Sequence, residues 1–385
     1  MTAPAAIYGH CSIRFRRLRD VFIANFQERG EVGAALCVYQ GGEKAVDLWG
    51  GVARPADDAA WQANTLVCMF SVGKSLAVLC TLMLADRGVI GLDAPVARYW
   101  PEFARCGKSA ITVRMLLGGL SGVLYADAAP DGAGLDWDVM IKAFERQVPA
   151  WVPGKGHAYH SMSLGYLLAE LVYRADGRTF NRFLADEVTG PLGAEFAFGL
   201  NDEQISRCAD IISNPANVSL SEMSNPNTPL GRAWRITPQL EGGVNNAEFR
   251  RGFLPSSNGH GTARAVAKIY AALSGQHIGK RLLSPQMIHL ARQQMWNGID
   301  AMTGNHYRYG LGFFLQGCPL VPLGPNNSTF GHPGLSGALA FADPLERLSF
   351  CYSPNFMAGG AGVGDRCEAL VDALYRDIAA ASSSV

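Results

Sequence analysis

Two pairs of apolar, β-prone runs stand at opposite ends of this chain, and they restrict the fold more than any other feature. Gly33–Tyr39 and Lys44–Trp49 are joined through Gly41-Gly42, a hairpin signal. Gly337–Ala342 and Leu348–Tyr352 flank Asp343-Pro344 in the same way. An amphipathic helix is expected outside each pair. Ile13–Arg29 carries Phe15, Leu18, Val21, Phe22 and Phe26 at helical spacing, and the C-terminal stretch carries Cys367, Leu370, Val371, Leu374 and Ile378. The order helix, strands, then strands, helix predicts an α+β fold. Its antiparallel sheet is built from both chain ends, with the terminal helices packed on one face.

The intervening segment is mainly helical by pattern. Ser75–Ala85 stops at Arg87-Gly88, and further helices fit Ser163–Arg174, Phe180–Glu187, Ala263–Leu273 and Pro285–Gln293. Residues 211–260, rich in Asn, Pro, Ser and Gly, predict long loops of the kind that wall substrate pockets. A chain of 385 residues can bury two interleaved units. The expected division is a sheet unit of residues 1–70 and 305–385 and a mainly helical unit of residues 71–304, with a site at their interface.

Thirty-three basic side chains balance 33 acidic ones, and they are spread along the chain. Nucleic acid or an anionic membrane would need a concentrated positive patch, so neither is expected as a partner. The densest basic run (Arg14, Arg16, Arg17, Arg19) lies within the first helix and reads as a solvated face. Nine scattered cysteines form no Cys-x-x-Cys and no zinc spacing. They read as small hydrophobes in a reducing compartment. Met1–Cys11 lacks a basic region followed by an apolar one, and no run of about 18 apolar residues occurs. A cytoplasmic protein is expected, with no metal or cofactor. Oligomeric state has no signature in the sequence.

Gly73-Lys74-Ser75 and Gly107-Lys108-Ser109 resemble the end of a phosphate-binding loop. The glycine that such a loop needs five positions earlier is Cys68 in one case and Glu102 in the other. The Gly-x-Ser-x-Gly elbow fails at Val123 after Ser121 and at Ala338 after Ser336. What remains is Ser71-Val72-Gly73-Lys74, a Ser-x-x-Lys at the mouth of an apolar helix. Residues three apart share a helix face, so the Lys74 amine can reach the Ser71 hydroxyl. Desolvation by the apolar helix would depress the lysine and let it hold the serine proton. By itself the pattern, common by chance, fits a Ser71 helix N-cap with Lys74 at the surface better.

Tyr159-His160-Ser161 precedes a helix beginning near Ser163, and His332-Pro333-Gly334 stands at the entry to a strand. Ser-x-x-Lys, Tyr-x-Ser and His-x-Gly in this order resemble the signature of the penicillin-recognising serine hydrolases. The chain is similar to the esterases related to class C β-lactamases, the family VIII carboxylesterases. The likeness includes Asp47-Leu48-Trp49-Gly50-Gly51, Asp93-Ala94-Pro95-Val96, Tyr99-Trp100-Pro101-Glu102-Phe103, Gly259-His260-Gly261-Thr262-Ala263-Arg264 and Phe341-Ala342-Asp343-Pro344. It implies a β-lactamase/transpeptidase-like fold and a small-molecule ester as substrate. It also implies Ser71 as nucleophile, with Lys74 and Tyr159 as the general base/acid pair, either of which could be the acylation base. Ser161 would orient Lys74 or the substrate. Gly334 would let the strand pass close to the scissile carbonyl, and the N–H groups of Ser71 and Leu335 would form the oxyanion hole.

Three departures from the family pattern carry expectations of their own. His332 replaces a lysine whose fixed charge holds a substrate carboxylate, so neutral esters should be preferred over β-lactams. Leu116-Leu117-Gly118-Gly119-Leu120-Ser121-Gly122 lacks the histidine of Leu-Leu-x-His-x-x-Gly, at Gly119, so the site should be reshaped there. Ser161 stands where Asn is more usual, which shortens the polar reach. Trp137, Trp151, Trp234 and Trp296 are candidates for a pocket wall or for core packing. The same residues would also serve an acyltransferase, an amidase or a β-lactamase acting on a specialised metabolite. A non-catalytic binding protein that kept the fold is the alternative from another class.

Overall fold

In a computed structural model describing residues 5–382, both chain ends enter one antiparallel sheet. Of the Met1–Cys11 stretch, residues 1–4 lie outside the described residues. The strands used below are β1 (Ile7–Cys11), β2 (Gly33–Gln40), β3 (Glu43–Arg54), β4 (Trp296–Ile299), β5 (His306–Tyr309), β6 (Phe314–Leu315), β7 (Phe330–Pro333), β8 (Leu339–Asp343) and β9 (Leu348–Pro354). Their spatial order is β1-β3-β2-β9-β8-β7-β6-β5-β4. The seam between the two ends is β2 against β9, with Cys37 opposite Cys351.

Side-chain size alternates across this sheet, as a period of two requires. Leu339, Phe341, Leu348, Phe350 and Tyr352 face one core, which they share with Phe15, Leu18, Phe22, Leu370 and Leu374. That is the face covered by helices α1 (Arg16–Glu28) and α5 (Gly364–Ser382), tied together where Asp377 accepts from the Leu18 N–H at 3.0 Å. Ala340, Ala342, Cys351 and Cys37 belong to the opposite core. Their small side chains let helix α4 (Ala263–Leu273) lie close, and Ser349 Oγ donates to the Ala267 carbonyl at 2.7 Å.

Helix α2 (Lys74–Asp86) is buried all round from Lys74 to Leu84, as a helix at the centre of a core should be. Helix α3 (Ser163–Asp176) packs against it. The helix expected over Phe180–Glu187 is regular to Leu184 and then widens into a π turn, Ala185–Thr189.

The expectation of loops over 211–260 needs correction. Short helices occupy Val218–Met223, Pro229–Trp234 and Ala247–Arg251. Asn217, Thr228 and Asn246 cap them by accepting from backbone N–H groups. The polar residues that read as loop are therefore helix caps. Among the nine cysteines Cys106 is exposed and Cys11 partly so, and the other seven are buried. Among the described residues no helix is long and apolar enough to cross a membrane, and no group of His, Cys, Asp or Glu could hold a metal ion.

Candidate active site

The Ser-x-x-Lys segment enters its helix through a strained bend. Val67–Cys68 pairs with His260–Gly261, and the Met69 N–H donates to the Gly259 carbonyl at 2.9 Å. Phe70 then takes φ +47°, a left-handed conformation that costs a bulky residue roughly 1–3 kcal/mol. The bend starts the 3₁₀ turn Phe70–Gly73 and leaves Ser71 partly exposed, while Lys74, one turn on, is fully buried. A surface lysine is thereby ruled out. Lys74 Nζ donates to Ser71 Oγ at 2.7 Å and to the Ser256 carbonyl at 2.7 Å. Burial holds the Lys74 amine well below the usual lysine range.

Ser256 has no motif around it, and sequence reasoning missed it. Its hydroxyl donates to the Met162 carbonyl at 2.6 Å and accepts from the Gly165 N–H at 2.8 Å. A Cβ on Gly165 would stand 2.4 Å from the Pro255 carbonyl carbon, so only glycine admits this strand of chain against α3. The readable signal was Gly165 inside an otherwise strong helix.

Tyr159 brings its ring centroid to 5.0 Å from Lys74 Nζ and hydrogen-bonds through its hydroxyl with Ser71. Burial, and next the neighbouring Tyr309, push its phenol well above the usual tyrosine range. Tyr159 is held from behind by Asp300, whose carboxylate accepts the Tyr159 N–H. The same carboxylate accepts from the Thr303 N–H and Oγ1, each at 2.9 Å, and lies 3.2 Å from His157 Nδ1. Both Asp300 and His157 are buried. The reshaping expected at Gly119 is also explained here. A Cβ on Gly119 would stand 2.6 Å from His157 Nε2, so the imidazole of His157 fills that space, stacked on Trp296 at 5.2 Å. Neither Asp300 nor His157 was singled out by the sequence.

Two expectations are corrected: Ser161 does not bond Lys74, though it lines the cavity, and His332 does not line it. Ser161 is buried, and its Oγ accepts from the Trp234 indole N–H at 2.9 Å; the Lys74 amine donates to Ser71 and Ser256 instead. His332 is wholly buried behind the site, its ring 5.8 Å from that of Tyr159 and 5.3 Å from that of Phe314. Its Nδ1 donates to the Pro333 carbonyl at 2.8 Å. Burial, and next the nearby Lys74, depress it to about 3. A neutral imidazole here offers no charge to a carboxylate. Gly334 and Leu335 line the same cavity as Ser71.

These groups open onto a cavity of about 160 Å³ lined by Ser71, Tyr159, Ser161, Trp234, Gly334 and Leu335 among others. Residues from 211–218 close one side, zipped to the chain after β9 by hydrogen bonds from the Asn217 amide to the Ala358 carbonyl (2.9 Å) and the Val218 N–H to the Gly360 carbonyl (3.1 Å). Of the four candidate tryptophans only Trp234 lines this cavity. Trp137 borders a larger one, about 740 Å³, that contains none of the expected site residues.

The beta-lactamase family model matches residues 18–373. A protein named esterase/beta-lactamase LipL, from Mycobacterium tuberculosis (strain ATCC 25618 / H37Rv), is 30% identical over 370 residues, covering 92% of this chain and 84% of its own. Among solved structures, a family VIII carboxylesterase is 32% identical with a TM-score of 0.87, over 97% of this chain and 100% of that one. A penicillin-binding protein homolog from Caulobacter crescentus is 33% identical with a TM-score of 0.88, over the same shares.

Proposed function

This chain belongs to the beta-lactamase family and is a serine hydrolase, and we propose that it hydrolyses small carboxylic esters through an acyl-enzyme on Ser71. The observation that carries the proposal is the 2.7 Å contact between Ser71 Oγ and the amine of a fully buried Lys74. Burial lowers the Lys74 amine toward its neutral form, which suits it as the acylation base: it takes the Ser71 proton as Oγ attacks the ester carbonyl. Tyr159, a neutral phenol bonded to Ser71, passes a proton to the leaving alcohol and is reprotonated from Lys74. The N–H groups of Ser71 and Leu335 hold the oxyanion, each worth roughly 3–4 kcal/mol in the transition state. Water then attacks the acyl-enzyme, with the same pair running in reverse. The site lies where the antiparallel sheet, which β4 (Trp296–Ile299) also joins, meets the helices that follow Ser71.

Neutral esters suit this site better than β-lactams, because the third motif places a buried, uncharged His332 where a cation would hold a substrate carboxylate. The cavity, about 160 Å³, is below the ~300–1,000 Å³ of typical ligand clefts and favours short acyl groups. Esterase names among the similar proteins support the same reaction class. The test is labelling with a fluorophosphonate followed by peptide mass spectrometry. It runs beside a panel of p-nitrophenyl esters of rising chain length, nitrocefin and an anilide. Modification of Ser71, loss of turnover in Ser71→Ala and a preference for short esters are expected. An unlabelled Ser71, or nitrocefin turned over as fast as the best ester, would refute the reading.

A further inference from the structure

The charge of the site cavity is set by one residue. Among the described residues that line it, Glu222 is the one acidic side chain, and none is lysine, arginine or histidine. The cations nearest in the chain are committed elsewhere, Arg232 to Asp127 and Arg235 to Asp131. Lys74 and His332 are fully buried, and desolvation drives both toward their neutral forms. Asp300 is likewise sealed from the cavity, beside His157. Glu222 itself is partly exposed, and its carboxylate has no ion pair or hydrogen bond among the described residues, whereas its backbone carbonyl accepts from Thr228 Oγ1 at 2.7 Å and from the Asn225 N–H at 3.2 Å.

The position of Glu222 is built rather than incidental. Its helix, Val218–Met223, starts at the Asn217 cap, and that cap is pinned to the chain after β9 by the Ala358 and Gly360 carbonyls. Glu222 therefore lines the same cavity as Trp234, Tyr307 and Phe314. An unpaired acidic side chain in a cavity walled by aromatic residues is an environment that attracts an organic cation, through charge and through the ring quadrupoles. It repels a carboxylate for the same reason.

We propose that Glu222 is the specificity-determining residue of this site and selects esters that carry a quaternary or protonated ammonium group over neutral isosteres and over anions. The inference rests on the reading of Ser71 as an esterase nucleophile, and it turns the preference against anionic substrates into a preference for cationic ones.

The test separates binding from turnover. Choline and its uncharged carbon isostere, 3,3-dimethylbutanol, are titrated by ligand-observed NMR into wild-type protein and into Glu222→Gln and Glu222→Asp. Wild type is expected to bind choline about ten-fold more tightly than the isostere, more so at low salt. In Glu222→Gln the ratio should fall to within about three-fold, with affinity for the alcohol unchanged; Glu222→Asp should restore part of it. In turnover, kcat/KM for acetylcholine against 3,3-dimethylbutyl acetate should show the same ratio and the same loss. Equal binding of the two probes by wild type, no binding of choline, or a ratio indifferent to Glu222→Gln would overturn the proposal. Hydrolysis of a neutral p-nitrophenyl ester alongside any of these would leave the esterase reading standing and sink only this one.

Discussion

A Cβ on Gly334 would stand 2.4 Å from the Met69 carbonyl oxygen, so the turn after β7 and the turn that carries Ser71 fit together only through a missing side chain. The Gly334 N–H is fixed by the Ala338 carbonyl at 2.7 Å, and Gly337 donates back to Gly334 at 2.9 Å. The Leu335 N–H is left free of any hydrogen bond among the described residues, beside Ser71. Gly334→Ala must push backbone against backbone, because a contact this short cannot be relieved by a flexible side chain. Loss of one oxyanion donor costs roughly 10²–10³ in kcat. We expect a fall of that order with KM little changed, measured on a short p-nitrophenyl ester. A kcat within a few-fold of wild type would count against Leu335 as a donor.

Lys74 separates catalysis from stability. An amine whose folded pKa is depressed leaves the unfolded chain holding more protons, so the buried lysine lowers stability at every pH below the unfolded value of 10.5. Lys74→Met removes that burden with little change in volume and should hold or raise Tm. It should also lower kcat/KM by roughly 10³ or more, since the Tyr159 phenol, the other group bonded to Ser71, is held protonated by burial. Lys74→Arg, charged at all accessible pH, should be as inactive and less stable. The same depression places the rising limb of the wild-type pH–rate profile well below 10.5. A limb near that value would mean that Lys74 is not the base.

Elements with a sustained period were legible in the sequence, and those held by tertiary contacts were not. The strands at both ends and the helices around Ser75, Ser163 and Ala263 repeat every two or three to four residues, and the structure places them within a few residues of expectation. The helices over 218–251 span five or six residues each, too short to show a period, so their Asn and Thr caps read as loop. The motif residues were found by order along the chain, which fixes where a side chain is and not where it points. Ser161 bonds Trp234 rather than Lys74, and His332 faces inward, because neighbours 73 residues away and a buried Phe314 decide those orientations. Ser256, Asp300, His157 and Glu222 carry no motif, and only the fold brings them to the site.

Asp300 gathers three backbone N–H groups, those of Tyr159, Met302 and Thr303, and its removal would strand them. Asp300→Ala also leaves the Thr303 hydroxyl without its acceptor. Each buried donor left unsatisfied costs roughly 1–3 kcal/mol, so Tm should fall by several degrees. Asp300→Asn retains an acceptor for the Tyr159 N–H, and it should recover more than half of the lost kcat without restoring full stability. Calorimetry and kcat on the same preparations check this. If both variants lose kcat equally, the Tyr159 N–H contact is not what positions the phenol.

His332 gives the last prediction its sign. Its folded pKa of about 3 lies below the ordinary histidine value of 6.5, so between those limits the unfolded chain binds the proton and the folded one does not. Stability is therefore fully present above about pH 6.5 and declines as pH falls toward 3. Down to about pH 5 a single such group removes roughly 2 kcal/mol. His160 and His260, each buried and depressed to about 4, act in the same direction. In His332→Asn the amide can still donate to the Pro333 carbonyl, but nothing titrates. The drop in Tm from about pH 7.5 to pH 5 should be smaller in His332→Asn than in wild type, by roughly the share of one histidine. Because His332 lies behind Tyr159 and not in the cavity wall, KM for a neutral ester should not change. An unchanged pH dependence of Tm would show that His332 is already protonated in the fold. The third motif would then carry the positive charge that its buried geometry argues against.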